Sequence, residues 1–336
     1  MLIADDRKFT LLIPTFNGSK FLRRTLDYLK DQQYPGRIVI ADDSSGEERR
    51  FVESVRDNYP ELWMEVQLYE KRLPFLRKLC RSLESATSEF VMLHAQDDFV
   101  VAEGAEACVR HLDTHADYSA ARGRVSMFAM QKKLRSDGSN SFAMSFVSHP
   151  MRAYLDDNPV ERMLDHINRY ASCLYSVHRR KQLLESLART ERDTQSVIFF
   201  QYLSSAVTAL LGKIACLEQL FYVRHGHPES WSAQLRASGD PEHWPWLITS
   251  PNFSRYYGEF KASLVSLANE KGLGVPQLDA KIDEASVGLF QRGFCGREGE
   301  NPGEVAFFNK LNDPTTKEHQ QVRAIAAFCS AYPDTY

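Results

Sequence analysis

Two short apolar runs, Arg37-Ile38-Val39-Ile40 and Phe90-Val91-Met92-Leu93, each lead within a few residues into a pair of adjacent carboxylates, Asp42-Asp43 and Asp97-Asp98. Runs of this length bounded by turn residues read as buried strands. Phe9 to Pro14 reads as the first strand, Ser19 to Gln32 as a helix, Arg37 to Ala41 as a strand and Glu47 to Asn58 as a helix. Trp63 to Tyr69, a helix from Pro74 to Ala86 with Leu76, Leu79 and Leu83 on one face, and Phe90 to Leu93 continue the alternation. Such alternation constrains the chain to an α/β fold, a Rossmann-like and mostly parallel central sheet flanked by helices.

Further along, Val101 to His115 reads as a helix and Tyr118 to Met130 as a strand near the sheet centre. The polar stretch Gln131 to His149, with Ser136-Asp137-Gly138-Ser139 as a turn signal, reads as a hairpin or a loop. Asn158 to Tyr170 and Arg179 to Thr190 read as helices around the apolar run Cys173 to Val177. An apolar helix, Ser196 to Leu211, ends at Gly212 and precedes the strand Leu217 to Val223. Gly239, Pro241, Pro245 and Pro251 mark a change of layer, followed by helical patterns near 253–271, 276–292 and 316–331. The expected organisation is an α/β domain over 1–238, with halves of about 8–115 and 116–238, and a helical region over 239–336.

A chain of 336 residues, 43% hydrophobic and 25% charged, can bury a sizeable core. Its net charge of −3, with no dominant basic run, argues against nucleic acid as a partner. The six cysteines are scattered and form no metal-ligand spacing. No stretch approaches the roughly 20 apolar residues that span a bilayer, and the first residues lack a leader pattern. The expected location is the cytoplasm, with peripheral contact to the inner face of a membrane left open. Aromatic residues of the helical region, Phe260, Phe290, Phe294, Phe307, Phe308 and Phe328, suit docking on the first domain, self-association or a membrane surface.

In an open α/β sheet, ligands bind beyond the carboxyl ends of the strands. The first strand ends in Pro14-Thr15-Phe16-Asn17-Gly18, where proline stops the ladder and Asn17-Gly18 permits a tight turn; a plain strand-to-helix turn capped by Ser19 reads equally well. Of Asp42 and Asp43, one can accept hydrogen bonds from a base or ribose while the other caps the next helix. Adjacent carboxylates at Asp97-Asp98 repel unless a cation is present, and hard oxygen ligands suit magnesium or manganese on a pyrophosphate. Gln96 adds a neutral amide. The loop Arg224-His225-Gly226-His227 can supply a metal-ligating histidine, with His225 and His227 equally placed by spacing, or be a solvated surface loop. Trp231, Trp244 and Trp246 are candidates for stacking on a sugar face.

Taken together, Ile13-Pro14-Thr15-Phe16-Asn17, Asp42-Asp43-Ser44-Ser45 and Gln96-Asp97-Asp98 after successive strands resemble the nucleotide-sugar half of family 2 glycosyltransferases of the GT-A fold, bacterial surface-glycan type. The resemblance spans about residues 8 to 230. It implies a nucleotide diphosphate sugar donor, a UDP-sugar foremost, a Mn or Mg cofactor, and a glycan or lipid-linked acceptor. Pro14, Thr15 and Asn17 would then line the nucleotide pocket with Asp43, and Asp42 would meet the base. Asp98 would bind the metal with His225 or His227, Asp97 would lie near the ribose or the sugar, Gln96 would belong to the nucleotide-sugar pocket, and Arg72 would approach the diphosphate.

The family's acceptor-side acid falls at Gln201, an amide that cannot serve as a base, which leaves Asp193 as the nominal base and inversion only slightly favoured over retention. A catalytically degenerate nucleotide-binding module is the alternative, kept alive by Gln96 and Gln201. A nucleotidyltransferase is a weaker one, because Gly18 with Lys20 makes a poor phosphate loop.

Overall fold

Main-chain pairing starts from the densest apolar runs. In the computed structural model, which describes residues 1–134, 140–149, 151–196, 198–230, 233–234, 250–295 and 302–335, β1 (Phe9–Thr15) is the hub. It pairs in parallel with β2 (Arg37–Asp42) on one side and β4 (Phe90–Leu93) on the other, and β2 pairs in parallel with β3 (Met64–Leu68). The helices between them are α1 (Ser19–Asp31), α2 (Gly46–Asn58) and α3 (Phe75–Ser85). The strands run the same way, so their carboxyl ends reach one edge together, with Thr15 opposite Asp42 and Asp42 opposite Leu68.

Beyond β4 come the two-residue β5 (Phe99–Val100), α4 (Ala102–Thr114), β6 (Tyr118–Leu134), β7 (Asn140–His149), α5 (Pro159–Asn168), β8 (Val177–Arg179), α6 (Arg180–Asp193), α7 (Phe199–Leu211) and β9 (Lys213–Gly226). The strand order is β3-β2-β1-β4-β8-β6-β9-β5, with β7 paired to β6. The sheet is therefore mixed. β8 runs antiparallel to both β4 and β6, β5 antiparallel to β9, and β7 antiparallel to β6, while β6 and β9 are parallel.

Local contacts set where three further elements begin and end. The apolar run Cys173 to Val177 enters the ladder only at Val177; before it the chain turns, the Ser176 N–H donating to the Cys173 carbonyl at 2.9 Å with His178 Nε2 2.7 Å from the same oxygen. β9 is far longer than Leu217 to Val223. It follows β6 through a register shift at Arg122–Arg124, where a Cβ on Gly123 would lie 2.4 Å from the Gln219 carbonyl oxygen, so only glycine admits the approach. The polar stretch after Met130 is a β6–β7 hairpin whose 136–139 turn lies outside the described residues, as do Trp231, Trp244 and Trp246.

The helical region is absorbed into the body of the fold. Helices α8 (Phe253–Glu270) and α9 (Leu278–Cys295) build a core with α5 and α7 from Phe199, Leu203, Phe260, Leu264 and Ile282. An unanticipated α10 (Pro302–Asn312) and α11 (Lys317–Cys329) add Phe307, Leu311, Val322 and Ile325 to the main core beside α1 and β6. Of the aromatics named from the sequence, Phe260, Phe307 and Phe328 pack in cores shared with the first domain, Phe290 packs on Phe253 and Tyr257 of α8, and Phe308 is exposed. Among the described residues no helix is long and apolar enough to cross a membrane.

Two wholly buried histidines make this core sensitive to acid. Burial pushes His166, on α5, down to about 3 and His178, on β8, down to about 4. Both values lie below the ordinary 6.5, so between them the unfolded chain binds more protons than the folded one. The stability this represents is fully present above pH 6.5 and is lost as pH falls toward 4, by roughly 1–3 kcal/mol for each histidine. Denaturant unfolding at pH 7 and pH 4.5 should show a smaller difference in His166→Leu than in the parent chain; an equal difference would remove His166 as the cause.

Candidate active site at the strand ends

The first wall of the site is the turn after β1. Asn17 adopts a left-handed conformation, φ 46°, and its N–H donates to Ser44 Oγ at 2.8 Å. A Cβ on Gly18 would sit 2.0 Å from Gln96 Nε2, so the glycine lets the Gln96 amide lie against the turn. Thr15 Oγ1 donates to Asp42 Oδ2 at 2.5 Å, and Ser44 donates to the same carboxylate from its N–H (3.1 Å) and its hydroxyl (2.6 Å). Asp42 is 0% exposed, so its carboxylate is a buried strut between β1 and β2.

Asp43, its neighbour, is buried against Lys78 of α3, whose ammonium also donates to the Thr15 carbonyl at 2.7 Å; the other Asp43 oxygen accepts the Leu73 N–H at 2.8 Å. Neither Asp42 nor Asp43 caps α2 by side chain. Arg72, exposed, stacks its guanidinium 4.3 Å from the centre of the half-buried Phe16 ring, which sets a cation and an aromatic face together above the Pro14–Asn17 turn.

The second wall is built where β5 pairs with β9. Phe99 lies opposite Val223 and Val100 opposite Tyr222, which brings Asp97 and Asp98 against Arg224, His225 and His227. The two carboxylates part ways there. Asp98 is 3% exposed; its Oδ1 accepts the His225 N–H at 2.9 Å, and Arg224 Nε stands 3.8 Å from Oδ2. Burial, reinforced by the Asp97 charge, pushes Asp98 up to about 7, with Arg224, the His225 amide and the Tyr222 hydroxyl acting the other way. Asp97 is more open, and its Oδ2 meets His227 Nε2 at 2.8 Å. Burial acts to raise Asp97 as well, but the bond to His227 and that group's charge outweigh it, and the value falls below the ordinary carboxylate range.

The histidines left equal by spacing are separated by the fold. His225 Nδ1 lies 3.0 Å from a guanidinium nitrogen of Arg24 on α1, and a guanidinium only donates, so that ring nitrogen accepts. Burial, with the Arg24 charge next, pushes His225 down to about 3, which keeps its ring neutral. His227 is the one whose ring nitrogen reaches a carboxylate, and that carboxylate is Asp97 rather than Asp98.

On the acceptor side, Gln201 lies in the first turn of α7, half-buried, one residue after Phe200, whose ring meets Phe75 at 6.1 Å. Asp193 lies at the end of α6, where its carboxylate binds Arg192, Arg189 and, at 2.6 Å, the hydroxyl of Ser263 on α8. Burial acts to raise Asp193, but Arg192 and Ser263 outweigh it and the value falls. The structure thus assembles Thr15, Asn17, Asp42 and Ser44 at one strand end and Asp97, Asp98, His225 and His227 at another, and ties Asp193 into a helix–helix contact.

Lys78 and Arg24 belong to this site and escaped the sequence reading. Each left a signal: Lys78 lies beside Leu79, Ser82 and Leu83 on the buried side of α3, and Arg24 falls in the stripe Phe21, Arg24, Thr25, Tyr28 of α1. A charge inside a buried stripe at helical spacing marks a group held for a partner.

The family model described as glycosyl transferase family 2 matches residues 10–146. Amylovoran biosynthesis glycosyltransferase AmsB of Erwinia amylovora is 30% identical over 95 residues, which are 28% of this chain and 32% of that relative. The match therefore spans about a third of the curated relative's length. Among solved structures, S. aureus TarS 1-349 in complex with UDP-GlcNAc is similar at a TM-score of 0.49 and 17% identity, over 97% of this chain and 82% of that one. Mannosyltransferase PcManGT from Pyrobaculum calidifontis, in complex with GDP-Man and Mn2+, is similar at a TM-score of 0.44 and 14% identity, over 97% and 85%. The stretch that matches glycosyl transferase family 2, residues 10–146, is the one that carries the Pro14–Asn17 turn, Asp42-Asp43 and Asp97-Asp98.

Proposed function

We propose that this chain is a glycosyltransferase that moves a sugar from a nucleotide diphosphate sugar, foremost a UDP-sugar, to a glycan or lipid-linked acceptor in surface-polysaccharide or glycoconjugate synthesis. The observation that carries the reading is the meeting of Asp97 and His227 beyond β4, on the strand-end edge that also holds Thr15, Asn17 and Asp42; these and Asp97 lie inside the residues that match family 2, and His227 comes to them from β9 beyond it. The polysaccharide context is drawn from the amylovoran biosynthesis glycosyltransferase, over the 95 residues it shares with this chain.

The residues present fit a divalent cation. A carboxylate oxygen and an imidazole nitrogen 2.8 Å apart stand near the separation of neighbouring ligands on an octahedral ion with bonds of about 2.1 Å. Among the described residues no third His, Cys, Asp or Glu joins them, so substrate phosphates and water would complete the shell of a magnesium or manganese ion there. Asp97 and His227 would hold the ion; Asp98, turned into β9 and raised to about 7, supports them from behind. When bound, the cation stabilises the charge that develops on the departing diphosphate.

The chain's own groups do the rest. Arg224 adds a guanidinium beside the carboxylates, and Phe16 with Arg72 offers a flat apolar face and a cation to a base and its phosphates. The Asn17 turn sets main-chain groups at the β1 end. Gln201 is an amide and Asp193 is held by three donors, so neither is poised to take the acceptor proton.

Gln201 also favours a second reading, a nucleotide-binding module without turnover. Release of nucleoside diphosphate from a panel of donors separates the two: binding with persistent silence selects the module, and silence without binding sinks both.

Three substitutions test the assignments. Asp97→Asn should weaken manganese-dependent binding of uridine diphosphate by more than about tenfold, measured by calorimetry, while binding without metal is unchanged; equal loss with and without metal would remove Asp97 from the cation. Lys78→Met leaves the Asp43 carboxylate buried alone and should lower unfolding free energy by roughly 3 kcal/mol, with Asp43→Asn in the same chain recovering part. A double variant no better than the single one would refute the pairing. Asp193→Asn should keep turnover within about twofold, whereas loss of a general base costs about a hundredfold or more.

A further inference from the structure

Arg24 is 0% exposed, yet among the described residues it has no carboxylate partner within ion-pair distance. Its acceptors are neutral: the main-chain carbonyl of Asp97 at 2.6 Å, His225 Nδ1 at 3.0 Å and Thr335 Oγ1 at 2.9 Å. The rings of Phe21 and Phe99 lie 5.5 and 4.9 Å from its guanidinium carbon. Burying a guanidinium against neutral acceptors is costly, and this one is kept where it touches both arms of the acidic site. It holds the Asp97 backbone, and by occupying the His225 lone pair it leaves His227, two residues on, as the histidine free to meet Asp97.

The third acceptor comes from 311 positions along the chain. Thr335 ends the 3-10 turn Pro333–Thr335 and is 2% exposed. Its own hydroxyl hydrogen goes to the Tyr332 carbonyl at 2.8 Å, which points an oxygen lone pair at Arg24. The turn is fastened to the same face of α1 by Tyr332, whose hydroxyl donates to Asp27 at 2.8 Å, and by Phe328, whose ring meets Tyr28 at 5.8 Å. Arg24, Asp27 and Tyr28 are the i, i+3 and i+4 positions of that face.

We propose that Arg24 is the positioning residue that decides which histidine faces the cation, and that Thr335 holds its guanidinium in the deciding orientation. The inference rests on the nucleotide-sugar reading above and makes α11 and the turn after it a working part of the donor site.

Thr335→Val removes the acceptor without changing the side-chain shape. Manganese-dependent affinity for uridine diphosphate, by calorimetry, should fall by about tenfold while metal-free affinity stays at the parent value. Thr335→Ser, which keeps the oxygen, should restore it. Arg24→Lys keeps the charge but cannot span three acceptors, and should fall at least as far.

Hydrogen exchange gives a readout independent of any ligand. The His225 amide, which donates to Asp98, should exchange faster in Thr335→Val, with the amides of α11 unchanged. Unchanged exchange at His225 overturns the proposal. Faster exchange with parent-like metal-dependent affinity reduces the contact to packing, and overturns the proposal while leaving the glycosyltransferase reading standing. A parent chain that binds no nucleotide with or without manganese overturns that reading and the proposal with it.

Discussion

Burying two adjacent carboxylates at the end of a sheet strand is the constraint to which this site is built. Like charges on neighbouring residues in a medium poorer than water cannot both stay ionised without compensation, and the surroundings of Asp97 and Asp98 are arranged to divide the burden unevenly. Asp98 goes inward, takes one main-chain N–H from β9 and a distant Arg224, and is raised to about 7 by burial. Asp97 stays nearer the surface and is drawn down by His227. The uneven division gives one carboxylate a structural duty and leaves the other charged and nearer the surface. It depends on the short β5–β9 pairing, since two ladder residues set the whole Arg224–His227 segment across from the acids.

The other strand ends solve the same problem by different means. At β2, Asp42 is satisfied by three donors from β1 and its own turn, whereas Asp43 is matched by a buried lysine from α3. An ion pair of that kind gains little stability over an apolar replacement, yet losing one partner is expensive. It fixes the spacing between β2, α3 and the β1 turn. Precision at this edge thus comes from buried polar ties, while the apolar residues of β1, β2 and β4 beneath them provide the cohesion.

Much of this was legible beforehand, and the reasons are local. The strands β1, β2 and β4 are continuous apolar runs bounded by Gly, Pro and Asp, so their existence and order followed from pattern alone. The acids at their ends were visible for the same reason. What escaped was set by tertiary pairing and local turns: β5 is too short to have a period, β8 begins only after the turn closed by the Ser176 N–H on the Cys173 carbonyl, and the length of β9 depends on a register shift at Gly123. The partnership of each carboxylate escaped too. Spacing offered His225 and His227 on equal terms, and the choice between them is made by Arg24, 201 positions from His225 along the chain. Asp193 had the right residue type near the right helix, but Arg189 and Arg192 on its own helix and Ser263 on α8 were there to claim it.

The helical region changes meaning once those contacts are counted. A boundary near residue 239 separates α/β patterning from helical patterning, but it does not separate cores. Helices α8 and α9 complete the apolar surface of α5 and α7, and α10 and α11 complete the face beside α1 and β6. Helix α1 thus lies between the acidic strand end on one side and the α11 segment on the other, with Arg24 reaching the first and Asp27 and Tyr28 gripping the second. A rigid helix with both attachments on adjacent turns transmits small displacements rather than absorbing them, because a close-packed interior has little room to yield. The acidic strand end is therefore a property of the first strands and the last helices together, and a fragment carrying only residues 10–146 would hold Asp97 and Asp98 without the contacts that orient them.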